Sequence, residues 1–158
     1  MKDLKIRRAV ESDLSVINKL LYQVHRVHSD VRPDLFRAGA KKYRDDELKN
    51  IIADDCRPIF VAEHDGMVLG YAFCVHQQYI DDNNMTDVKT LYIDDLCVDE
   101  TARKMHIGRR LYEYVVDYAT RHEYYNVTLN VWADNANAVK FYEKLGLKIQ
   151  KIGMEKIL

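Results

Sequence analysis

Apolar positions along the chain change their period several times, and each change marks an element. Residues 4–9 alternate well enough for a first strand. Leu14, Ile17, Leu20, Leu21 and Val24 then repeat with helical spacing behind Ser12, a good N-cap, and the stripe decays after His28. The segment S-D-V-R-P-D-L-F-R-A-G-A-K-K-Y, broken by Pro33 and Gly39, reads as an irregular connection to a helix over residues 45–53. Two apolar runs, 59–63 and 67–75, flank His64, Asp65 and Gly66, and Asp-Gly between such runs predicts a hairpin. A polar loop returns the chain to a strand at 92–98.

Ile107, Leu111, Tyr114, Val115, Tyr118 and Ala119 resume helical spacing, with Arg110, Glu113, Asp117 and Arg121 on the wet face. Residues 127–132 read as a strand, and a helix between two strands predicts a parallel pair joined by a crossover. A short helix over 136–145 stops at Gly146, and residues 147–158 are expected to close the sheet as a strand or hairpin. There is no repeat, low-complexity tract or linker. The pattern therefore predicts one α/β domain over residues 1–158, with a mixed sheet, antiparallel in its N-terminal part and parallel at a central pair, and helices on both faces.

Composition narrows the function classes. With 158 residues and 47% hydrophobic content the chain can bury a core without staples. No apolar run approaches a membrane span, and the start M-K-D-L-K-I-R-R-A is charged and strand-like, so a cytoplasmic protein without membrane contact is expected. The formal net charge of -1 gives no footprint for nucleic acid. The three cysteines, Cys56, Cys74 and Cys97, are isolated and odd in number, which argues for reduced thiols and against a zinc site. His25 and His28 stand at i,i+3 without further ligands, so no metal is expected.

The main chemical signal is local. Arg103, Lys104, His106, Arg109 and Arg110 crowd the start of the helix near Gly108, where unpaired N–H groups and the helix dipole already present positive charge. Cations there are unfavourable unless an anion such as a pyrophosphate joins them. Charge alone leaves a phosphate site and a solvated basic face both open.

Three stretches carry a resemblance that decides between them. The loop R-K-M-H-I-G, Arg103 to Gly108, is similar to an Arg/Gln-x-x-Gly-x-Gly/Ala phosphate loop, with His106 where the first glycine is usual. The strand residues Leu96, Cys97 and Val98 precede it, and N-A-N-A-V-K-F-Y-E-K-L-G-L, Asn135 to Leu147, follows at the right separation. Together they resemble the GNAT superfamily of N-acetyltransferases, and most closely its diamine and polyamine branch. The resemblance implies a single-domain GNAT-like fold and acetyl-CoA as donor. The cofactor would contact Leu96, Cys97, Val98, Arg103, Lys104, Met105, His106, Ile107, Gly108, Arg109 and Asn135. It also implies a homodimer.

Acetyl transfer to an amine sets requirements that residues can meet. An alkylamine of pKa about 10.4 must lose a proton, which at pH 7 is roughly 4.6 kcal/mol uphill. The resemblance places a family acid at Asp94, the expected base, with Asp95 on the opposite face if the strand is regular; a bulge would reverse that parity. A backbone N–H near Cys97 or Val98 would stabilise the oxyanion if the strand splays there. Tyr142 matches the family position of the acid that protonates the departing thiolate. Asp94 and Asp95, with the loop acids Asp81, Asp82 and Asp87 near one strand entrance and His28 in the acceptor pocket, suggest a small cationic amine. Two other readings stay open: acetylation of a protein or peptide amine, and a non-catalytic acyl-CoA sensor. A doubly wound nucleotide-binding domain is disfavoured because no glycine-rich loop follows the first strand.

Overall fold

A computed structural model describes residues 3–103 and 105–158. Five strands, β1 (Lys5–Arg8), β2 (Ile59–His64), β3 (Met67–Gln77), β4 (Thr90–Val98) and β5 (Asn126–Leu129), form one sheet in that order. Neighbours from β1 to β4 are antiparallel, and β4 with β5 is parallel. The four helices are α1 (Leu14–Val31), α2 (Asp45–Ile52), α3 (Ile107–Arg121) and α4 (Ala136–Lys144). The mixed sheet with helices on both faces is the architecture the sequence pattern predicts.

Both faces of β2 and β3 are covered, which explains why these strands read as continuous apolar runs. Phe60, Ala62, Ala72 and Cys74 face α3, where they meet Ile107, Leu111, Val115 and Ala119. Ile59, Val61, Tyr71 and Phe73 face α1 and α2, against Ile17, Leu20, Leu21, Leu48 and Ile51. Each fully buried Leu or Ile contributes about 1.5–3 kcal/mol. The hairpin turn uses positive φ at Asp65 (50°) and Gly66 (74°), as a two-residue turn matched to strand twist requires. At Gly70 a Cβ would meet the Cys97 carbonyl oxygen at 2.8 Å, so glycine is what lets β3 lie this close to β4.

Several boundaries differ from the sequence reading. Asp13, and not Ser12, sits at the N-cap of α1, after a 3-10 turn over Glu11–Asp13. The Asp13 carboxylate is buried and accepts from the Val10 N–H at 2.9 Å and from the Arg7 guanidinium at 2.7 and 3.0 Å. That fixes where the first strand hands over to the helix. α1 continues past His28 to Val31, one residue short of the pre-proline position. β5 stops at Leu129, and residues 130–132 leave the ladder. Residues 147–158, expected to form a strand or hairpin, carry no ladder, so β5 is an edge strand among the described residues. No described helix is long and apolar enough to cross a membrane.

Candidate active site

The centre of β4 breaks strand parity. Phe73 pairs with Asp95 and Cys74 with Ile93, leaving Asp94 as an extra residue in a β-bulge. Ile93 and Leu96 can thus both pack on the α3 side although they are three residues apart. Both carboxylates turn to the other face. Of the two arrangements the sequence left open, a regular strand with opposed acids and a bulge that reverses the parity, the bulge is the one present, and the apolar spacing I-D-D-L is its signal.

The two acids have different surroundings. Asp94 accepts from the Tyr43 hydroxyl and is ion-paired with Lys42 at 2.8 Å; the Lys42 ammonium also donates to the Asp94 carbonyl oxygen at 3.2 Å. Asp95 accepts from the Tyr71 hydroxyl at 2.8 Å. Burial pushes the Asp95 carboxyl up to about 6, a rise that the Tyr71 bond and the Lys42 charge only partly offset. Tyr71 and Tyr43 are themselves pushed well above the usual phenol value, first by burial and then by the carboxylates beside them.

These acids line a cavity of about 420 Å³, within the usual range for small-molecule sites. Tyr142 of α4 lines it as well, and burial, with the Asp95 charge second, raises its phenol so that it stays protonated. The opposite wall is aromatic. His28 stacks on Phe36 at 5.4 Å, and Phe36 meets Trp132 edge-on at 5.6 Å. Burial, then the charges of His25 and Lys42, lowers the His28 imidazole. Asn135 reaches the cavity too, although its side-chain oxygen caps α4 by accepting from the Ala138 N–H at 3.2 Å.

β4 and β5 part company at the cavity. Their ladder covers Thr90 to Ile93 against Asn126 to Leu129 and goes no further, so β4 from Asp95 to Val98 is paired only on its β3 side and the bulged Asp94 on neither. The Asp94 carbonyl is engaged by Lys42 and the Val98 carbonyl by the Gln23 amide at 3.0 Å, while residues 95–97 have no ladder partner on the side facing β5, which leaves that side open to a ligand. Cys97 points away from it: its thiol lies toward the Leu20 carbonyl of α1 and burial pushes it up to about 12, which leaves it unsuited to nucleophilic attack.

The basic loop adjoins the same gap. Gly108, in the first turn of α3, has its hypothetical Cβ 3.5 Å from Val98, 3.8 Å from Leu96 and 3.4 Å from Phe141 of α4. These are ordinary contacts, so protein packing alone does not demand glycine there. His106 occupies the N-cap in the left-handed region (φ 58°, ψ 19°), the conformation a glycine would supply, and its side chain makes no capping bond. Arg103 and Arg109 are exposed beside it, Arg109 paired with Glu113 at 2.7 Å, while Met105 and Ile107 face the core. Lys104 lies outside the described residues. His106→Gly should leave the helix start intact, with stability changed by no more than about 1 kcal/mol. For the acetyl-CoA that the sequence resemblance implies, affinity by calorimetry should stay within about threefold if the backbone carries the contact; a larger loss would assign the imidazole a direct role.

The cavity thus brings together Asp94, Asp95, Leu96, His28, Asn135 and Tyr142, with the loop adjoining it. The loop acids do not take part: Asp82 holds its own turn by accepting from the Asn84 and Met85 N–H groups at 2.9 Å, and Asp81 and Asp87 stay out of the cavity. Sequence reasoning missed Lys42, Tyr43, Phe36 and Trp132. The first three lie in the irregular connection, where no periodicity marks a buried face. Among the described residues no group of three His, Cys, Asp or Glu is arranged to hold a metal ion.

A gapped parallel strand pair beside a basic helix start, with acids and a phenol in one cavity, matches the layout of an acyltransferase. The chain belongs to the acetyltransferase (GNAT) family, whose model matches residues 23–147. It is 25% identical over 152 residues to an uncharacterized N-acetyltransferase of Methanocaldococcus jannaschii, an alignment covering 96% of this chain but 64% of that protein. The BH1408 protein of Bacillus halodurans, solved as a tetramutant, is 31% identical with a TM-score of 0.92 over 98% of this chain and 99% of its own. An aminoglycoside acetyltransferase from a soil metagenomic sample, solved with sisomicin, shares the fold at 19% identity and a TM-score of 0.73, over 99% of this chain and 97% of its own.

Proposed function

We propose that the protein is an acetyl-CoA-dependent N-acetyltransferase that transfers acetyl directly to a primary amine of a small cationic acceptor. The observation that carries the reading is the single cavity holding Asp94, Asp95 and Tyr142 where β4 and β5 separate. The residues present suit an acyl-CoA: an unpaired strand edge for an amide-containing arm, and an α3 N-terminus flanked by exposed Arg103 and Arg109 for its phosphates. Bound there, acetyl-CoA supplies an acyl carbon already activated as a thioester.

The chain's residues would then divide the work. We place the base at Asp95, because a carboxyl at about 6 is a better match to an alkylammonium than one at its ordinary value. The gain over an unperturbed aspartate is about 3 kcal/mol for the proton transfer. Asp94, held by Tyr43 and Lys42, supports the charge of the incoming amine. A backbone N–H in the gap donates to the carbonyl oxygen as charge develops on it, an interaction of about 3–4 kcal/mol. Tyr142 holds the proton for the leaving thiolate.

The acceptor reading rests on the acidic pair facing the aromatic wall of His28, Phe36 and Trp132, a setting that suits an ammonium on an alkyl stem. Lys42 already presents such an ammonium to Asp94, so an acceptor must compete with it. Lys42→Ala should therefore lower the KM for cationic amines by about two- to fivefold, the weight of a partly exposed ion pair. An unchanged or raised KM would mean that Lys42 orients Asp94 instead. The test of the whole reading is release of free CoA with polyamines, aminoglycosides, amino acids and peptides. Turnover with small cationic amines supports it. Turnover only with peptides would move the acceptor to a protein amine, and acetyl-CoA binding without turnover would make the site a sensor.

A further inference from the structure

We infer that Lys42 is an internal acceptor: with no free amine present, the chain transfers acetyl to its own Lys42 side chain and so clears Asp94 for a substrate. The inference rests on the acetyltransferase reading given above. The acceptor there is an ammonium on an alkyl stem held at Asp94, and Lys42 already fits that description. Its ammonium pairs with the Asp94 carboxylate at 2.8 Å and donates to the Asp94 carbonyl oxygen at 3.2 Å. Asp94 is the bulged residue of β4, at the point where the ladder with β5 ends, so this nitrogen stands beside the gap. Among the described residues Lys42 is the one lysine lining the cavity that also holds Asp95 and Tyr142.

The lysine next to it in the chain is arranged otherwise. Lys41 turns to α1 and α2, donating to Asn18 and pairing with Asp45, with its ammonium 5.7 Å from the Tyr22 ring centroid. Lys42 lies outside any helix or strand and its side chain is partly exposed, so the stem can swing from Asp94 to a carbonyl carbon in the gap. Tethering removes the cost of bringing an amine to the site, which puts a lysine held there ahead of lysines on the surface. Asp94 keeps a partner when Lys42 leaves, because the Tyr43 hydroxyl donates to it as well.

The transfer balances with no reactant beyond the acyl donor. One ammonium proton of Lys42 passes to Asp95, whose carboxylate lies near enough to feel the Lys42 charge, and from there to solvent. The freed nitrogen forms a bond to the thioester carbonyl carbon as the C–S bond breaks. That nitrogen then sheds a second proton, which replaces the one Tyr142 gives to the departing thiolate. The products are Nε-acetyl-Lys42 and free CoA. An amide carries no charge, so the cation that competes with a substrate at Asp94 is gone.

To test this, the purified chain is incubated with acetyl-CoA and no amine, freed of it by gel filtration, and digested for mass spectrometry. Lys42 should gain acetyl at least about tenfold faster than any other lysine, with a half-time independent of chain concentration, and the preference should vanish in urea. The acetylated chain, with no acetyl-CoA present, should bind putrescine about two- to fivefold more tightly by calorimetry than the unmodified chain. The inference is overturned if Lys42 stays bare, if it reacts no faster than surface lysines, or if its rate rises with chain concentration, which would make the transfer one between copies. Equal putrescine binding overturns it too, because Asp94 would not have been cleared. Release of CoA with putrescine in the same preparation separates the two readings. If it proceeds while Lys42 stays bare, only the internal acceptor falls; if it is absent as well, the acetyltransferase reading falls with it.

Discussion

Asp95→Asn is expected to lower turnover by about 10²–10⁴-fold, the usual weight of a general base, and at the same time to stabilise the protein above pH 6. Both effects follow from one fact: burial holds the Asp95 carboxyl at about 6. In the unfolded chain the same group titrates near 3.9, so between the two values the folded protein binds more protons. Stability linked to this group is therefore greatest below pH 4 and declines as pH rises toward 6, where the buried charge appears. Asparagine can still accept from Tyr71 but carries no charge, and the cost of ionising that position, about 1–3 kcal/mol, disappears. Thermal unfolding of wild type and variant from about pH 3.5 to 8 should show curves that lie together at the acid end, part between about pH 4 and 6, and keep a constant separation above pH 6. In the wild type kcat/KM should rise with pH along a limb near 6, because the base must be ionised. Equal melting temperatures across the whole range would mean that Asp95 is solvated, and its choice as base would lose its footing.

Tyr142→Phe is the second large effect. The phenol lines the same cavity as Asp95, and burial keeps it protonated. Its ring packs edge-on to Phe141 at 5.0 Å and lies 6.5 Å from Tyr112, so phenylalanine should preserve the packing of α4. Loss of the hydroxyl should cost about 10²-fold in kcat, with acetyl-CoA binding nearly unchanged. If kcat holds and only the acceptor KM moves, Tyr142 positions the amine and another donor protonates the thiolate.

The parts of this protein that were legible in its sequence are those with a period. β2, β3, α1 and α3 follow from apolar spacing, because each buries a whole face against a neighbour. The parallel pairing of β4 and β5 follows from the helix between them. Asp94 and Asp95 were found, but their shared direction was left open between a regular strand and a bulge, since the extra residue shows only in the three-residue gap between Ile93 and Leu96. The start of α1 was misplaced by one residue because Asp13 is held by Arg7, a long-range contact that local cap preference does not contain. Residues 147–158 have strand periodicity but form no ladder among the described residues, because pairing depends on a long-range partner that local pattern does not contain. Lys42, Tyr43 and Phe36 were invisible for the opposite reason, lying in a connection with no period at all.

That last division reaches beyond prediction. The acids and the phenol sit on β4 and α4, which are fixed by the sheet and its helices, whereas Phe36 and Lys42 of the cavity wall come from residues 32–44, a stretch outside any helix or strand. Evolution can rewrite such a stretch without disturbing the machinery beneath it, because loops tolerate insertion and replacement where core strands do not. Relatives that keep the bulge but replace this connection should share proton chemistry and differ in the amine they accept. Grafting residues 32–44 from one onto another is the most direct way to move specificity between them.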